Sequence, residues 1–476
     1  MNAVVTAMAQ SGPPFTDQVS GTSFMEDTFY ALATVSLFLI IPALGLIDGG
    51  LVRRKNLLDT WVQKLICASV AGLALTVIGF AIWEVQYYQA LAVPNPVVQA
   101  IKDWWLAGND MTALSQNLDP AVSPQADVFQ IFVVFFVAFA AAGGALLHSA
   151  GLERVKAAPM YVISAVAGGL IIPIALYLTW GSTSPLTNAG VHDYVGTYSL
   201  YIVVGVWALI IAWRAGPRLG AFRSHPRTAG PVPHDWGSSA FGVILLLACE
   251  PFLSLGCGYL VPGSGYFGIS LTTSGFGLVM INVFMAFLGG GLSGAFLAYR
   301  TRNPVMALLG PVAGIVGAGT SLDVGVPWQL LIVGLIAPFV VYGVYLLLAR
   351  MGIDDKKIVP IALGGGIYSA LAGGVVGWGH KTGGYFGLKG TYAPQHATIN
   401  LGWQLIGVLA IVALAAVTGL IVIVALEKTI GLRVSEDAEV AGLDAAYWDA
   451  VPVEGPNGES GEVVPQPAPS SVTTAD

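Results

Sequence analysis

The placement of Lys and Arg along this chain constrains its fold more than any other feature. Eleven apolar segments divide the sequence, at 28–47, 62–84, 127–148, 157–180, 194–213, 237–259, 269–298, 304–321, 328–349, 357–378 and 401–426. About 20 helical residues, rising about 1.5 Å each, cross a bilayer core of about 30 Å. Most of the segments meet that length; 304–321, with Pro311 and four glycines, is marginal. Arg53, Arg54, Lys55 and Lys64 follow the first segment, Arg154 and Lys156 the third, and Arg214, Arg218, Arg223 and Arg227 the fifth. The connections after the seventh, ninth and eleventh continue the pattern, and only Lys102, Lys381 and Lys389 of the 20 basic residues fall on the other side. Basic residues collect on the cytoplasmic side of membrane proteins. Eleven crossings with the N-terminus outside and the C-terminus cytoplasmic satisfy the alternation, and removing one crossing scrambles it.

Composition agrees. Charged residues are 10% of the chain, against about 25% in soluble domains, too few to cover a surface facing water. The expectation is an all-α polytopic protein of the cell membrane, with the lipid bilayer as its solvent. Its 60 glycines suit helices whose backbones approach closely. Cys67, Cys249 and Cys257 all lie in apolar segments and read as small packing residues. No metal-spaced cluster, phosphate loop, nucleophile elbow or nucleic-acid patch is present, so no enzyme, cofactor, metal or nucleic-acid role is expected.

An odd number of crossings suggests two five-helix halves of opposite topology plus one extra helix. The fifth and tenth segments are then equivalent, headed by Asp193 and by Asp354–Asp355. Eight residues separate Asp193 from Tyr201 and Asp355 from Leu363. That is about 12 Å of helix, so both later positions approach the midplane, where transporter sites lie. The expected parts are an extracytoplasmic arm (1–26), a membrane domain (27–427), a cytoplasmic tail (428–452) and a Pro/Ser/Gly-rich disordered end (453–476).

Two acids stand out. Asp193 heads the fifth segment, where Asp caps a helix well. Glu250 sits within LLLACEPFLSLG, in mid-segment, where a carboxyl is costly and faces the protein interior. It is read either as part of a proton relay, with Tyr201 as hydroxyl partner, or as a structural hydrogen-bonding group at the Pro251 break or at a subunit contact.

Several motifs resemble the ammonium transporter (Amt/Mep/Rh) family: GLIDGGLVRRKN after the first segment, VFQ at 128–130, TWG at 179–181 with Asp193 beyond it, GPRLG at 216–220, Asp354–Asp355, and GLRVSEDAEVAGLD at 431–444. The resemblance spans nearly the whole membrane region and implies movement of ammonium, or of ammonia after deprotonation, through one path per subunit of a homotrimer. It also implies docking of a nitrogen regulatory P-II protein on the cytoplasmic face. The family's two pore histidines fall here at Tyr201 and at Leu363, or at Ala362 with a one-residue gap, and none of His148, His192, His225, His234, His380 and His396 lies at the middle of a segment. By the resemblance Trp180, Tyr259 and Ser264 form an outer recruitment site, Phe129 and Phe132 line its entry, and Asp193 supports it. Aromatic faces attract an ammonium ion by cation–π interaction; the same rings also suit an interfacial belt. The missing histidines keep open a non-conducting ammonium sensor or scaffold, or a transporter of another small solute.

Overall fold

The computed structural model describes residues 21–114, 127–261, 263–448, 450–454 and 460–465. Among these, ten helices are long and apolar enough to cross a membrane, and an eleventh, shorter one spans Val305–Ser321. They are α1 (Gly21–Leu51), α2 (Arg54–Ala90), α4 (Asp127–Ala150), α5 (Ala157–Thr179), α6 (Thr197–Ala215), α7 (Trp236–Gly256), α8 (Phe276–Thr301), α9 (Val305–Ser321), α10 (Pro327–Arg350), α11 (Val359–Val376) and α12 (Leu401–Thr429). Between α2 and α4 lies a short helix, α3 (Pro96–Trp104), that the apolar pattern does not announce. Pro96 occupies its first turn, where a missing N–H costs nothing, and Trp104 docks edge-on against Phe80 of α2, with 5.1 Å between ring centroids.

The first helices of the two halves, α1 and α7, pack on each other, as do the last, α6 and α11, while α12 lies along α6 and α11. This is the inverted five-helix repeat with its extra helix. Glycine permits the α6–α11 crossing. A Cβ on Gly205 would stand 2.4 Å from the backbone nitrogen of Leu363, and one on Gly366 would stand 3.3 Å from Tyr201 and Ile202 side-chain atoms. The two contacts mirror one another. Both helices also begin with wide turns of i→i+5 hydrogen bonding, Thr197–Ile202 and Val359–Gly365, a local widening that often marks functional sites.

Several expected boundaries move. α1 begins at Gly21, inside the expected arm, and residues 1–20 of that arm lie outside the described residues. α7 stops at Gly256 and the chain turns into a hairpin, β1 (Gly258–Val261) with β2 (Gly265–Gly268), before α8 starts at Phe276. Tyr259 therefore sits on a strand rather than a helix end. The glycines at 256 and 258 break the helix, and Tyr259, Leu260 and Val261 favour extended backbone. A second pair, β3 (Lys381–Thr382) with β4 (Ala397–Thr398), closes the loop before α12.

The end of the bundle carrying Arg53, Arg154 and Arg218 is called the basic end; the opposite end is rich in aromatic residues. The tail folds back on the basic end. Leu432 O accepts from Lys156 N, Val434 N donates to Arg154 O, and Leu443 N donates to Asn56 Oδ1. Two short helices, α13 (Glu436–Ala441) and α14 (Leu443–Trp448), follow, and the Asp444 carboxylate accepts from the Leu58 and Asp59 N–H groups at the start of α2. Beyond them β5 (Ala450–Glu454) pairs with β6 (Ser460–Pro465), where composition leads one to expect disorder. Residues after 465 lie outside the described residues.

Arg53 of the bundle faces Glu439 of the tail at 3.7 Å, and further ion pairs order the surface on which the tail sits. Glu153 meets Arg53 and Arg218, each at 2.8 Å; Arg218 also meets Asp354 at 2.7 Å; and Glu439 of the tail meets Arg433 at 2.7 Å. Burial alone would raise the Glu153 and Asp354 carboxyls, but the facing guanidinium groups outweigh it and hold both below the usual carboxylate range. Both acids are thus stronger folded than unfolded. The stability they lend is complete above the unfolded value of about 4 and is withdrawn as pH falls through their folded values. Acidification below about pH 4 is expected to release the tail, seen as faster amide exchange in α13 and α14 before exchange rises in α6.

Candidate functional site

The aromatic end is built on a stripe of α4. Phe132, Phe136 and Phe139 recur at three- and four-residue spacing, which places them on one helix face. Trp180 caps α5 and packs against this stripe, 5.9 Å from Phe139 with the planes 28° apart and 5.3 Å from Phe136 at its edge. The Trp180 indole N–H donates to Tyr194 O at 2.8 Å, and the Trp83 indole donates to Trp180 O at 2.6 Å. Trp83 meets Tyr87 at 5.2 Å, and the Tyr87 and Tyr259 hydroxyls are hydrogen-bonded to one another. Trp180 and Tyr259 thus belong to one wall, joined through Trp83 and Tyr87. Phe132 is in the wall, 5.1 Å from Phe136 and 5.9 Å from Trp83.

Two expected members are elsewhere. Ser264 lies in the exposed turn between β1 and β2, its N–H bonded to Val261 O; the hairpin carries it past the wall. Phe129 is 42% exposed at the start of α4, one turn beyond the last ring that packs. Trp180 itself is 1% exposed, with its face covered by Phe139. The rings that remain open are Tyr87, Tyr259 and Tyr385, the last 5.8 Å from Tyr87.

Behind Phe139 runs a narrow cavity of about 70 Å³, enclosed by α1, α4, α6, α7, α9 and α11. Its lining is aliphatic except for Phe139, Tyr201, Glu250 and Lys357. Tyr201 and Glu250 share this space, as the relay reading needs, though no hydrogen bond joins them among those found. On α11 the cavity is lined by Ile361 and Ala362; Leu363 packs against Gly205 instead. Of the two expected positions, Leu363 and Ala362, the cavity takes Ala362, and the wide turn at Val359–Gly365 accounts for it, since an i→i+5 turn changes the register of side chains relative to a regular helix.

The heads of α6 and α11 are held alike. The Asp193 carboxylate accepts the N–H groups of Thr197 at 2.6 Å and Tyr198 at 3.0 Å. Asp355 accepts those of Lys357 at 2.9 Å and Val359 at 3.3 Å. Burial pushes the Asp193 carboxyl up to about 7, against the pull of those donors and of His192. The His192 ring is 2.8 Å from Asp323 at the end of α9, which also accepts from Thr272. Asp193 does not line the cavity; it is a cap.

At the basic end the cavity meets a vestibule of about 490 Å³ lined by Asp48, Ser149, Arg154, Arg218, Asp354 and Lys357, among others. Lys357 lines both spaces. The buried Asp48 carboxylate pairs with Lys357 and, at 2.7 Å, with Lys64. Lys64 donates further to Ala145 O and to Ser149 Oγ, and Ser149 donates to Asp48. The sequence reading passed over this cluster because Lys64 and Lys357 counted there only as basic-side charges. The missed signal was Asp48, a carboxyl immediately after the first apolar segment and still within α1. No group of three or more metal-ligating side chains occurs among the described residues.

The profile of the Ammonium Transporter Family matches residues 28–451. Ammonium transporter Amt1 of Methanocaldococcus jannaschii is 28% identical over 396 residues, covering 81% of this chain and 93% of that relative. Of solved structures, Saccharomyces cerevisiae Mep2 superposes with a TM-score of 0.68 at 20% identity, over 87% of this chain and 89% of its own. One described as a sensor Amt protein also reaches 0.68, at 19% identity, over 89% and 98%. The superpositions show a shared fold, and the profile match over nearly the whole described length shows descent. The chain belongs to the ammonium transporter family.

Proposed function

We propose that this protein moves ammonium, as the ion or as ammonia left after deprotonation, across a cell membrane. The observation that carries this reading is the narrow cavity running from behind the aromatic wall to the basic vestibule. Tyr87, Tyr259 and Tyr385 offer ring faces and hydroxyls to an ammonium ion at the wall, where cation–π attraction is worth about 0.5–2 kcal/mol. Within the cavity an ion would leave most of its hydration behind, which is costly against aliphatic walls. Neutral ammonia loses far less. Glu250 and Tyr201 are the groups positioned to take up or pass a proton at mid-path. The basic end is the cytoplasmic one, by the positive-inside rule. A homotrimer, with a P-II protein docking on the face formed by the inner loops and tail, belongs to the same reading, as do Trp180 and Phe132 as supports of the outer site.

The test is flux into liposomes holding a pH-sensitive dye. An ammonium gradient is expected to alkalinise the lumen faster with the protein than without. Ala362→Phe places a ring in a cavity of about 70 Å³ and is expected to return the rate to that of empty liposomes. Wild-type flux unchanged by Ala362→Phe places the path elsewhere, and no wild-type flux at all returns the protein to the non-conducting class. Glu250→Gln with unchanged flux removes the relay.

A further inference from the structure

We infer that Lys357, latched to Asp48, is the charge filter of the path, excluding cations at its basic end so that only the uncharged solute passes. This rests on the transport reading above and adds to it the residue that decides between ion and neutral species. Lys357 is placed for the task because it lines both the narrow cavity and the vestibule, so a solute leaving one for the other passes its side chain. Its surroundings hold it there. Asp48, with no side-chain exposure, contacts Lys357 on one oxygen and Lys64 on the other. Lys64 cannot swing away, since Ala145 O and Ser149 Oγ take its other hydrogens.

The charges nearby do not cancel this arrangement. Asp48 is shared between two ammonium groups. Asp355 accepts the N–H groups of Lys357 and Val359 and is thereby turned toward the head of α11. Asp354 is occupied by Arg218 and Arg154. His148, beside Ser149, is buried, and its Nδ1 has no hydrogen-bond partner among the described residues. Glu250 lies further along the cavity, level with Tyr201, and favours a cation there rather than at the exit. Burial pulls the Lys357 pKa down, and the Asp48 carboxylate in contact with it favours the ammonium form. A cation arriving at the junction then meets a like charge across a passage with little water to screen it. Ammonia meets no such barrier and can accept a hydrogen bond from Lys357.

The experiment compares ammonium-driven alkalinisation with ammonium-driven current in proteoliposomes carrying wild-type protein, Lys357→Met or Lys357→Arg. Lys357→Met leaves Asp48 and Lys64 as a balanced pair, and Lys357→Arg keeps the cation. Wild type and Lys357→Arg are expected to alkalinise the lumen with little current. Lys357→Met is expected to carry a current at least about tenfold larger, the scale for removing one like charge from a poorly screened passage. Equal currents in wild type and Lys357→Met, large or small, while alkalinisation persists, overturn the filter alone. A similarly enlarged current in Lys357→Arg assigns the effect to packing and overturns it too. Absence of both signals in wild type overturns the transport reading and the filter with it.

Discussion

Glu153→Ala is expected to destabilise the protein by about 3–5 kcal/mol, the range for leaving buried charges without their partner. The Glu153 carboxylate, which has no exposed side-chain surface, receives the Arg53 side chain and backbone N–H, the Asn56 amide and Arg218. It holds these although its own backbone sits at φ +66°, in the left-handed region, which costs a non-glycine residue of order 1 kcal/mol. The grip on four donors maintains that conformation. Removing the carboxylate strands Arg53 and half of Arg218, and weakens the seat of the tail, because Arg53 also faces Glu439. Glu153→Gln keeps an acceptor and should lose less. Arg214–Glu427 is a useful contrast: both side chains are partly exposed, and Glu427→Ala should cost no more than about 1 kcal/mol. Thermal or denaturant unfolding in detergent ranks the three. A Glu153→Ala protein as stable as wild type would mean that the network does not hold the basic end.

Asp193→Ala is the second large effect, and here the test separates a cap from a proton carrier. The substitution leaves the Thr197 and Tyr198 N–H groups buried without an acceptor, at about 1–3 kcal/mol each. The wide first turn of α6 would relax, and Tyr201 on that turn would move in the cavity wall. Asp193→Asn retains one acceptor oxygen but cannot exchange a proton. A cap predicts that Asn keeps most of the flux and Ala loses it; a carrier predicts that both lose it. Equal loss in both would overturn the capping assignment.

Much of this was readable from residue order. The crossings followed from apolar length and the alternation of Arg and Lys, and all eleven are helices, including the marginal one with Pro311. Trp180, Tyr259 and Phe132 were placed together, and Glu250 and Tyr201 do share a cavity. The failures have definite causes. Ser264 was assigned by proximity in the chain, but the hairpin turns it outward. The sequence left the second pore position at Leu363 or Ala362, and only the irregular turn of α11 brings Ala362 to the cavity. Phe136 and Phe139 were legible as a continuation of the Phe132 stripe. Trp83 and Tyr87 come from another helix, and no local pattern points from them to Trp180.

What this sequence determines alone is where the long apolar helices fall along the chain, because the free energy of placing a charged or apolar residue in lipid depends on that residue and its near neighbours. Which side chains face one another is decided by the tertiary structure. The pairing of Asp48 on α1 and Lys64 on α2 with Lys357, far later in the chain at the head of α11, depends on how the helices pack and cannot be read from local sequence. Only in that packing does an ammonium group at 357 come to stand between the cavity and the vestibule.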